Sequence, residues 1–462
     1  MDSLTQRVFC IGIGGVGVSA VARLLLAEGK NVHGSDIQRT PIIDDLIALG
    51  LTFVQREDPN DIDESFGLVV YTDDAGPEHR LRQRATQLAI PQENFSFTLG
   101  RLMMSYDHRL CIAGTNGKST TTALVGLVLA GAALDPTVFV GSRVQEFSGN
   151  VRLGGMEFFV AEADEYRDHF LHYTPSIVTL TNIESDHLDY FGTVEKMEQS
   201  FASLLSRLPE TGMVVYNGDD PVCKKLVAGR QQVLSYGMNE DCDVRITEVT
   251  QSSGQQSWTL TVRGEVLGRY ILPLPGLFNI MNATAAVATA LAAGAHPTSF
   301  ATTLQAFHGV WRRFQVLNPG SDITVVSDYA HHPTALRGTI TGAKAFYPGR
   351  RIVAVFQPHH RSRLTSLFDA FAAACDSADV VYIVETYSVT GRDVPEEEVK
   401  TATALVQRIA ERGVTVEYVD DVTALSSMLP EHLRDGDVVL MMGAGDIWRT
   451  AEQLAKHYGT TA

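Results

Sequence analysis

Cysteine is scarce in this chain, five in 462 residues, and Cys10, Cys111, Cys223, Cys242 and Cys375 are scattered without a C-x-x-C pair. That usage argues against a disulfide framework or a zinc site and fits a reducing cytoplasm. Basic charge is also short: 37 Lys and Arg face 54 Asp and Glu, for a net charge of -17. So acidic a chain argues against nucleic acid or an anionic membrane surface as a main partner, while leaving room for local basic pockets. No apolar run is long enough for a bilayer. The longest helix-like one, Ala123 to Leu134, falls well short of the roughly 20 residues a spanning helix needs. Met1 to Gln6 does not read as a signal peptide. Internal repeats and low-complexity segments are missing as well. The expectation is a cytoplasmic enzyme, monomer or homodimer, with no nucleic acid and no membrane insertion.

What is present is a globular composition, 45% hydrophobic, at a length that predicts about two to four domains. Apolar runs of strand length alternate with helix-like sequence almost throughout. Strands are predicted near 8–13, 31–34, 52–54 and 68–71, then 158–161, 177–181, 214–216 and 233–235. Residues 258–272 alternate like an antiparallel excursion, and a third series follows at 324–327, 352–356, 380–384 and 438–442. The pattern predicts three α/β units with mostly parallel sheets.

Two glycine turns carry most of the chemistry. Gly114-Thr115-Asn116-Gly117-Lys118-Ser119, followed by Thr120, sits between an apolar strand and a helix. Backbone N–H groups and the helix dipole make such a turn an anion cradle. Lys118 would reach the β/γ-phosphates and Ser119 would offer a hydroxyl to Mg²⁺. The first glycine stands three residues before Gly117 rather than five, yet the strand–helix context predicts nucleoside triphosphate binding. The second turn, Gly12-Ile13-Gly14-Gly15-Val16-Gly17, follows the first strand, and Ser35-Asp36 closes the next one. This spacing suits a diphosphate on the helix N-terminus with Asp36 near a ribose or base. The glycines alone leave open whether the ligand is NAD or another pyrophosphate nucleotide.

Polar clusters end several predicted strands. Glu162-Ala163-Asp164-Glu165 and Asn182-Ile183-Glu184-Ser185-Asp186-His187 close two strands of the middle region, where parallel sheets bind ligands. Carboxylate and hydroxyl oxygens suit Mg²⁺; an imidazole fits a second metal site better. In the last region, Asp328-Tyr329-Ala330-His331-His332-Pro333 and Gln357-Pro358-His359-His360-Arg361-Ser362-Arg363 follow two strands. They are expected to project from adjacent strand ends and offer imidazoles and guanidiniums to an anion such as a carboxylate.

In this order the motifs resemble the Mur ligases nearly end to end. The resemblance rests on the two glycine turns, Glu162 to Tyr166, Asn182 to Asp189, Pro275 to Ala283 and Gly309 to Phe314. It continues through the Asp-Tyr-Ala-His-His-Pro run, Phe356 to His359 and Gly443 to Trp448. It implies an α/β fold of three domains. These are a Rossmann-like UDP-sugar domain (1–106), a central P-loop ATPase-like domain (107–314) and a Rossmann-like amino-acid-binding domain (315–462). It further implies, as for the family member that adds alanine, that ATP and Mg²⁺ activate the lactyl carboxylate of UDP-N-acetylmuramate as an acyl phosphate. L-alanine then attacks it.

By the same resemblance, Gly12, Gly14, Gly15, Val16, Gly17, Ser35 and Asp36 hold the UDP-sugar. Gly114, Thr115, Asn116, Gly117, Lys118, Ser119, Thr120, Asn279, Asn282, Arg313 and Asp328 meet ATP. Ser119, Glu162 and His187 bind metal; Lys118, His187 and Arg313 act in catalysis; Tyr329, His332, His359 and Arg363 receive the amino acid. A hinge is expected just after Phe314, so that closure assembles the site and excludes water. Asn116 stands where the alanine-adding members usually have His, His360 where an Arg usually follows, and Thr386 to Asp393 is atypical. The Asn116 change leaves the phosphate cradle intact, since backbone groups make most of it, while the His360 change bears on the amino-acid pocket and so on which small amino acid is preferred: L-alanine, glycine or L-serine. A murein peptide ligase attaching a recycled tripeptide is the nearest alternative. An NAD-dependent oxidoreductase would leave Lys118, Glu162 and His187 without a role, and a silent UDP-sugar-binding protein would not need them.

Overall fold

The computed structural model describes residues 6–252, 254–387 and 400–459. These fold as two compact units. One runs up to Asp243 and takes in Ala285–Phe300; the other holds Val244–Thr284 and the chain from Ala301 onward.

The first unit contains two sheets. Strands β1 (Arg7–Ile11), β2 (Asn31–Ser35), β3 (Thr52–Val54), β4 (Leu68–Tyr71) and β5 (Gln92–Asn94) lie in the order β3-β2-β1-β4-β5. All pairings are parallel. The chain leaves central β1 toward one side and later returns to the other, so the glycine turn after β1 sits at a topological switch point. The neighbouring sheet uses β6 (His108–Ala113), β7 (Thr137–Val144), β8 (Gly149–Arg152), β9 (Phe158–Glu162), β10 (Ile177–Leu180), β11 (Met213–Asn217) and β12 (Val233–Gly237). Their order is β12-β11-β10-β6-β9-β7-β8. Strand β6 is flanked by β9 and β10, in register Ile112↔Glu162 and Ala113↔Leu180. The two acidic strand ends therefore stand on either side of the phosphate turn, as the sequence predicts. A continuous apolar cluster from Val8 through Leu25, Leu99, Phe159 and Phe201 packs the unit. The β7–β8 hairpin is not among the predicted strands: the run Thr137–Val140 is buried, but Gly141 to Arg143 interrupts its apolar pattern.

In the second unit, β13 (Val244–Ser252), β14 (Gln255–Val262) and β15 (Glu265–Leu272) form the antiparallel excursion. A separate sheet holds β16 (Gln315–Val316), β17 (Thr324–Asp328), β18 (Ile352–Phe356), β19 (Val380–Val384), β20 (Val416–Val419) and β21 (Val438–Met442), ordered β16-β17-β21-β18-β19-β20. Its central strands β17, β21, β18 and β19 are buried on both faces. Val326, Ala354 and Phe356 join one apolar cluster, while Val325, Val353 and Val355 join another, which explains why they read as unbroken apolar runs. The two basic turns do not leave adjacent strands, contrary to expectation: β21 lies between β17 and β18. A strand inserted from the end of the chain is invisible to an inference drawn from sequence order. The described part of the atypical 386–393 segment ends at Tyr387; the rest lies outside the described residues. Among the described residues no helix is long and apolar enough to cross a membrane.

Candidate active site

The helix Lys118–Gly131 starts on Gly117, whose backbone is left-handed (φ 84°). Gly114 has φ 134°, and a Cβ there would lie 2.1 Å from Thr181 Oγ1 and 2.8 Å from the Asn182 carbonyl. Both facts require glycine, because L side chains rarely adopt these angles and the space is filled. The turn is braced from β10's end. Asn182 Oδ1 accepts the Asn116 N–H at 3.0 Å, and Asn182 Nδ2 donates to the Asn116 carbonyl at 2.9 Å. Asn116 thus fits its surroundings, with its own amide 3.4 Å from Asn182 Oδ1.

Lys118 is folded back over its loop. Its Nζ donates to the Gly114 carbonyl at 2.6 Å, the Thr115 carbonyl at 3.2 Å and Glu165 Oε2 at 2.7 Å. Burial alone would lower the lysine's pKa, but Glu165, Asp164 and Glu162 hold it above its ordinary value. Burial pushes the Glu165 carboxyl up to about 7 against the pull of Lys118. Glu165 was not singled out from the sequence as a site residue. A strand-end glutamate is common, and only the pairing of β6 with β9 places this one on the lysine.

Ser119 Oγ donates to Glu162 Oε1 at 2.9 Å, and the other Glu162 oxygen accepts the Gly141 N–H. A hydroxyl beside a buried carboxylate is a hard-oxygen pair that fits Mg²⁺, which takes one or two protein ligands and completes its shell with phosphate and water. Among the described residues no group of three or more His, Cys, Asp or Glu is arranged as a ready-made metal cage. His187, at φ 51°, lies with Nε2 3.7 Å from Asp186 and 4.0 Å from Glu165 Oε1. It is placed beside the lysine's partner.

At the N-terminal turn, Asp36 Oδ2 accepts the Gly14 N–H at 2.9 Å and the Ser35 carbonyl accepts the Gly12 and Ile13 N–H groups. Both residues brace the turn. His169 connects the two sheets of this unit: its Nε2 lies 2.7 Å from Asp73, which follows β4, and its Nδ1 3.9 Å from Asp164. Burial alone would lower its pKa, but the two carboxylates push it up to about 9. A histidine raised above its unfolded value of about 6.5 contributes stability that is complete below pH 6.5 and lost as pH rises through 9. The protein should therefore melt roughly 2–6 °C above a His169→Gln variant near pH 6, and the difference should vanish above about pH 9 in pH-dependent thermal scans.

In the second unit, Asp328 accepts N–H bonds from Ala330 at 2.8 Å and Phe314 at 3.1 Å and a hydroxyl bond from Thr339 at 3.0 Å. Burial raises its pKa while Arg313 opposes the rise. Arg312 and Arg313 each lie 4.9 Å from the Tyr329 ring centroid. Arg312, missed as a site residue, is buried and bonds the Gly443 and Gly445 carbonyls; burial lowers it to about 10. His332 caps the helix Pro333–Phe346. His359 stacks on Tyr387 at 5.5 Å, and Arg363 lies in the helix Arg361–Ser366. Asn279 Nδ2 donates to the Pro275 carbonyl at 2.7 Å, and Asn282 Nδ2 lies 3.4 Å from Asn279 Oδ1. Phe314, just before the expected hinge, is packed into the core of the β17 sheet.

A phosphate turn on a parallel sheet, with a lysine at its helix start and carboxylates on both flanking strand ends, defines a P-loop phosphoryl-transfer protein. Three family models cover most of the chain: Mur ligase family, catalytic domain, over 7–107; Mur ligase middle domain, over 112–290; and Mur ligase, glutamate ligase domain, over 312–445. The chain belongs to the Mur ligase family. It is 36% identical over 452 residues to the UDP-N-acetylmuramate–L-alanine ligase of Caldanaerobacter subterraneus subsp. tengcongensis, covering 97% of each chain. It is 37% identical to the enzyme of that name from Salinibacter ruber, covering 99% of this chain and 96% of that one. Among solved structures it resembles the UDP-N-acetylmuramate-alanine ligase MurC of Thermotoga maritima, with a TM-score of 0.82, 26% identity and coverage of 98% and 99%. A murein peptide ligase from Psychrobacter arcticus shares the fold at a TM-score of 0.70 and 22% identity, with coverage of 99% of each chain.

Proposed function

We propose that this chain joins L-alanine to the lactyl carboxylate of UDP-N-acetylmuramate, converting ATP to ADP and phosphate. The observation that carries this reading is end-to-end identity of 36–37% with UDP-N-acetylmuramate–L-alanine ligases. The likeness to a murein peptide ligase, at 22%, speaks to fold alone.

A carboxylate is a poor acylating agent because its oxide is a poor leaving group. Transfer of the γ-phosphoryl group to the lactyl oxygen makes phosphate the leaving group, and the amine of alanine displaces it as the amide forms. The protein's work is positioning and charge neutralisation. The N–H groups from Gly114 to Ser119 and Thr120 cradle the phosphates. Lys118 leaves its loop carbonyls and Glu165 to meet them. Ser119 and Glu162 would hold Mg²⁺, with His187 at a second site; bound there, the ion neutralises charge on the transferring group. Gly12, Gly14, Gly15, Val16 and Gly17 receive the UDP diphosphate, with Ser35 and Asp36 bracing them. Asn279, Asn282, Arg313 and Asp328 serve ATP, and Tyr329, His332, His359 and Arg363 orient the amino acid through its carboxylate.

Phosphate release from ATP and Mg²⁺ should require both UDP-N-acetylmuramate and L-alanine. Glycine and L-serine should support slower release, since small side chains are discriminated by only about 10–200-fold. Release with the tripeptide L-alanyl-γ-D-glutamyl-meso-diaminopimelate alone would move the assignment to murein peptide ligation. No release with any acceptor, from folded protein that still binds the UDP-sugar, would remove the catalytic reading.

A further inference from the structure

A run of packed groups joins the N-terminal glycine turn to the end of β9 and the turn after it, which carry Glu162 and Glu165. Gly17 begins it: a Cβ there would lie 2.3 Å from the Phe95 ring, so that ring sits directly on the helix of the turn. Phe95 in turn meets the edge of His169, with centroids 5.0 Å apart. His169 is 6% exposed and faces carboxylates with both ring nitrogens, Asp73 at 2.7 Å and Asp164 at 3.9 Å. Asp73 is fixed by Asn94 Nδ2 at 2.8 Å, and the same asparagine caps the helix Phe95–Met103 through the Ser96 N–H. Asp164 lies between the two site glutamates, and its carbonyl accepts the Phe170 N–H at 3.0 Å.

The backbone between Asp164 and His169 is forced. Arg167 and Asp168 are consecutive left-handed residues, with φ 52° and 58°. Side-chain-bearing residues hold such angles only where the surroundings over-determine them. Here Asp168 is gripped by Tyr190 Oη at 2.7 Å and by Ser200 Oγ, while His169 lies within ion-pair distance of the two aspartates. An imidazolium placed between two carboxylates attracts both by charge, which a neutral amide of similar size does not.

We propose that His169 is a positioning residue, a strut between Asp73 and Asp164 that sets the sugar-side turn at a fixed distance from Glu162 and Glu165. The role rests on the ligase reading, since its consequence is the alignment of the lactyl carboxylate with the phosphoryl group. Loss of the strut leaves the phosphate cradle itself in place. It should therefore slow the chemical step and spare ATP binding.

The test is a double-mutant cycle in the full-length chain with His169→Gln and Asp73→Asn. Each single variant should lower kcat about tenfold with KM for ATP within about twofold, and the double variant should be no slower than either single. Unchanged kcat in folded His169→Gln, or losses that multiply in the double variant, would overturn the proposal. If His169→Gln does not fold, Asp73→Asn decides on the same criteria. A wild-type chain inactive with every acceptor would count against the ligase reading alone. In that case hydrogen exchange across 163–172 reads the strut, and equal protection in wild type and Asp73→Asn would overturn it.

Discussion

Replacing Lys118 by alanine should lower ATP-dependent phosphate release by about 10³-fold or more while leaving UDP-sugar affinity within about twofold. The Lys118 ammonium is tied to two loop carbonyls and to buried Glu165. A triphosphate offers it more charge than Glu165 does, so binding exchanges one ion pair for a stronger one. The substitution has a second consequence, because it strands Glu165, which is 1% exposed. Removing one partner of a buried pair costs roughly 3–5 kcal/mol when the survivor stays charged. With its pKa already pushed up to about 7, Glu165 can take up a proton instead and limit the loss. Lys118→Met combined with Glu165→Gln should thus melt closer to wild type than Lys118→Ala, yet stay inactive. Thermal scans run beside the phosphate assay separate the two effects. A Lys118→Ala variant retaining about a tenth of wild-type turnover would end the assignment of this lysine to phosphoryl transfer.

The parts of this site that could be read from the sequence are those whose cause is local. Gly114 and Gly117 are glycines because of their own backbone angles, and the strand-then-helix context of the turn is visible within about twenty residues. The acidic strand ends were legible for the same reason, since apolar runs announce where β9 and β10 stop. What was missed depends on pairing across distance. Lys118 and Glu165 meet only because β6 lies beside β9. The separation of the His331-His332 and His359-His360 turns follows from the last strand, β21, entering the middle of its sheet. Asp73 carries no signal until His169, 96 residues later, is seen at 2.7 Å. Asp36 shows a subtler limit. The spacing that placed it near a ribose is compatible with its grip on the Gly14 N–H, and sequence cannot separate bracing the turn from touching the ligand.

Gly141→Ala should reduce kcat about 10–100-fold and raise the Mg²⁺ concentration needed for half-maximal activity, although residue 141 touches no substrate in the mechanism proposed. The cause is space. A Cβ at 141 would lie 2.8 Å from the Glu162 Cδ and from both its oxygens, closer than nonbonded atoms tolerate. Residue 141 belongs to β7, pinned to β9 through Thr137↔Phe159, Val138↔Val160 and Phe139↔Ala161, so the strand resists moving. The carboxylate yields instead, losing both the Gly141 N–H and its 2.9 Å contact with Ser119 Oγ. Mg²⁺ demands near-ideal octahedral geometry, so a donor displaced by even a fraction of an ångström binds it poorly. Glu162→Gln offers the complementary perturbation, since it keeps the shape and removes the charge. The two variants should share the raised Mg²⁺ requirement while only Gly141→Ala recovers part of its activity at high Mg²⁺, because its carboxylate is misplaced rather than neutral. Mg²⁺ titrations of phosphate release on both variants read this directly. An unchanged half-saturating Mg²⁺ concentration in either would mean that Glu162 orders Ser119 and the loop without binding the metal.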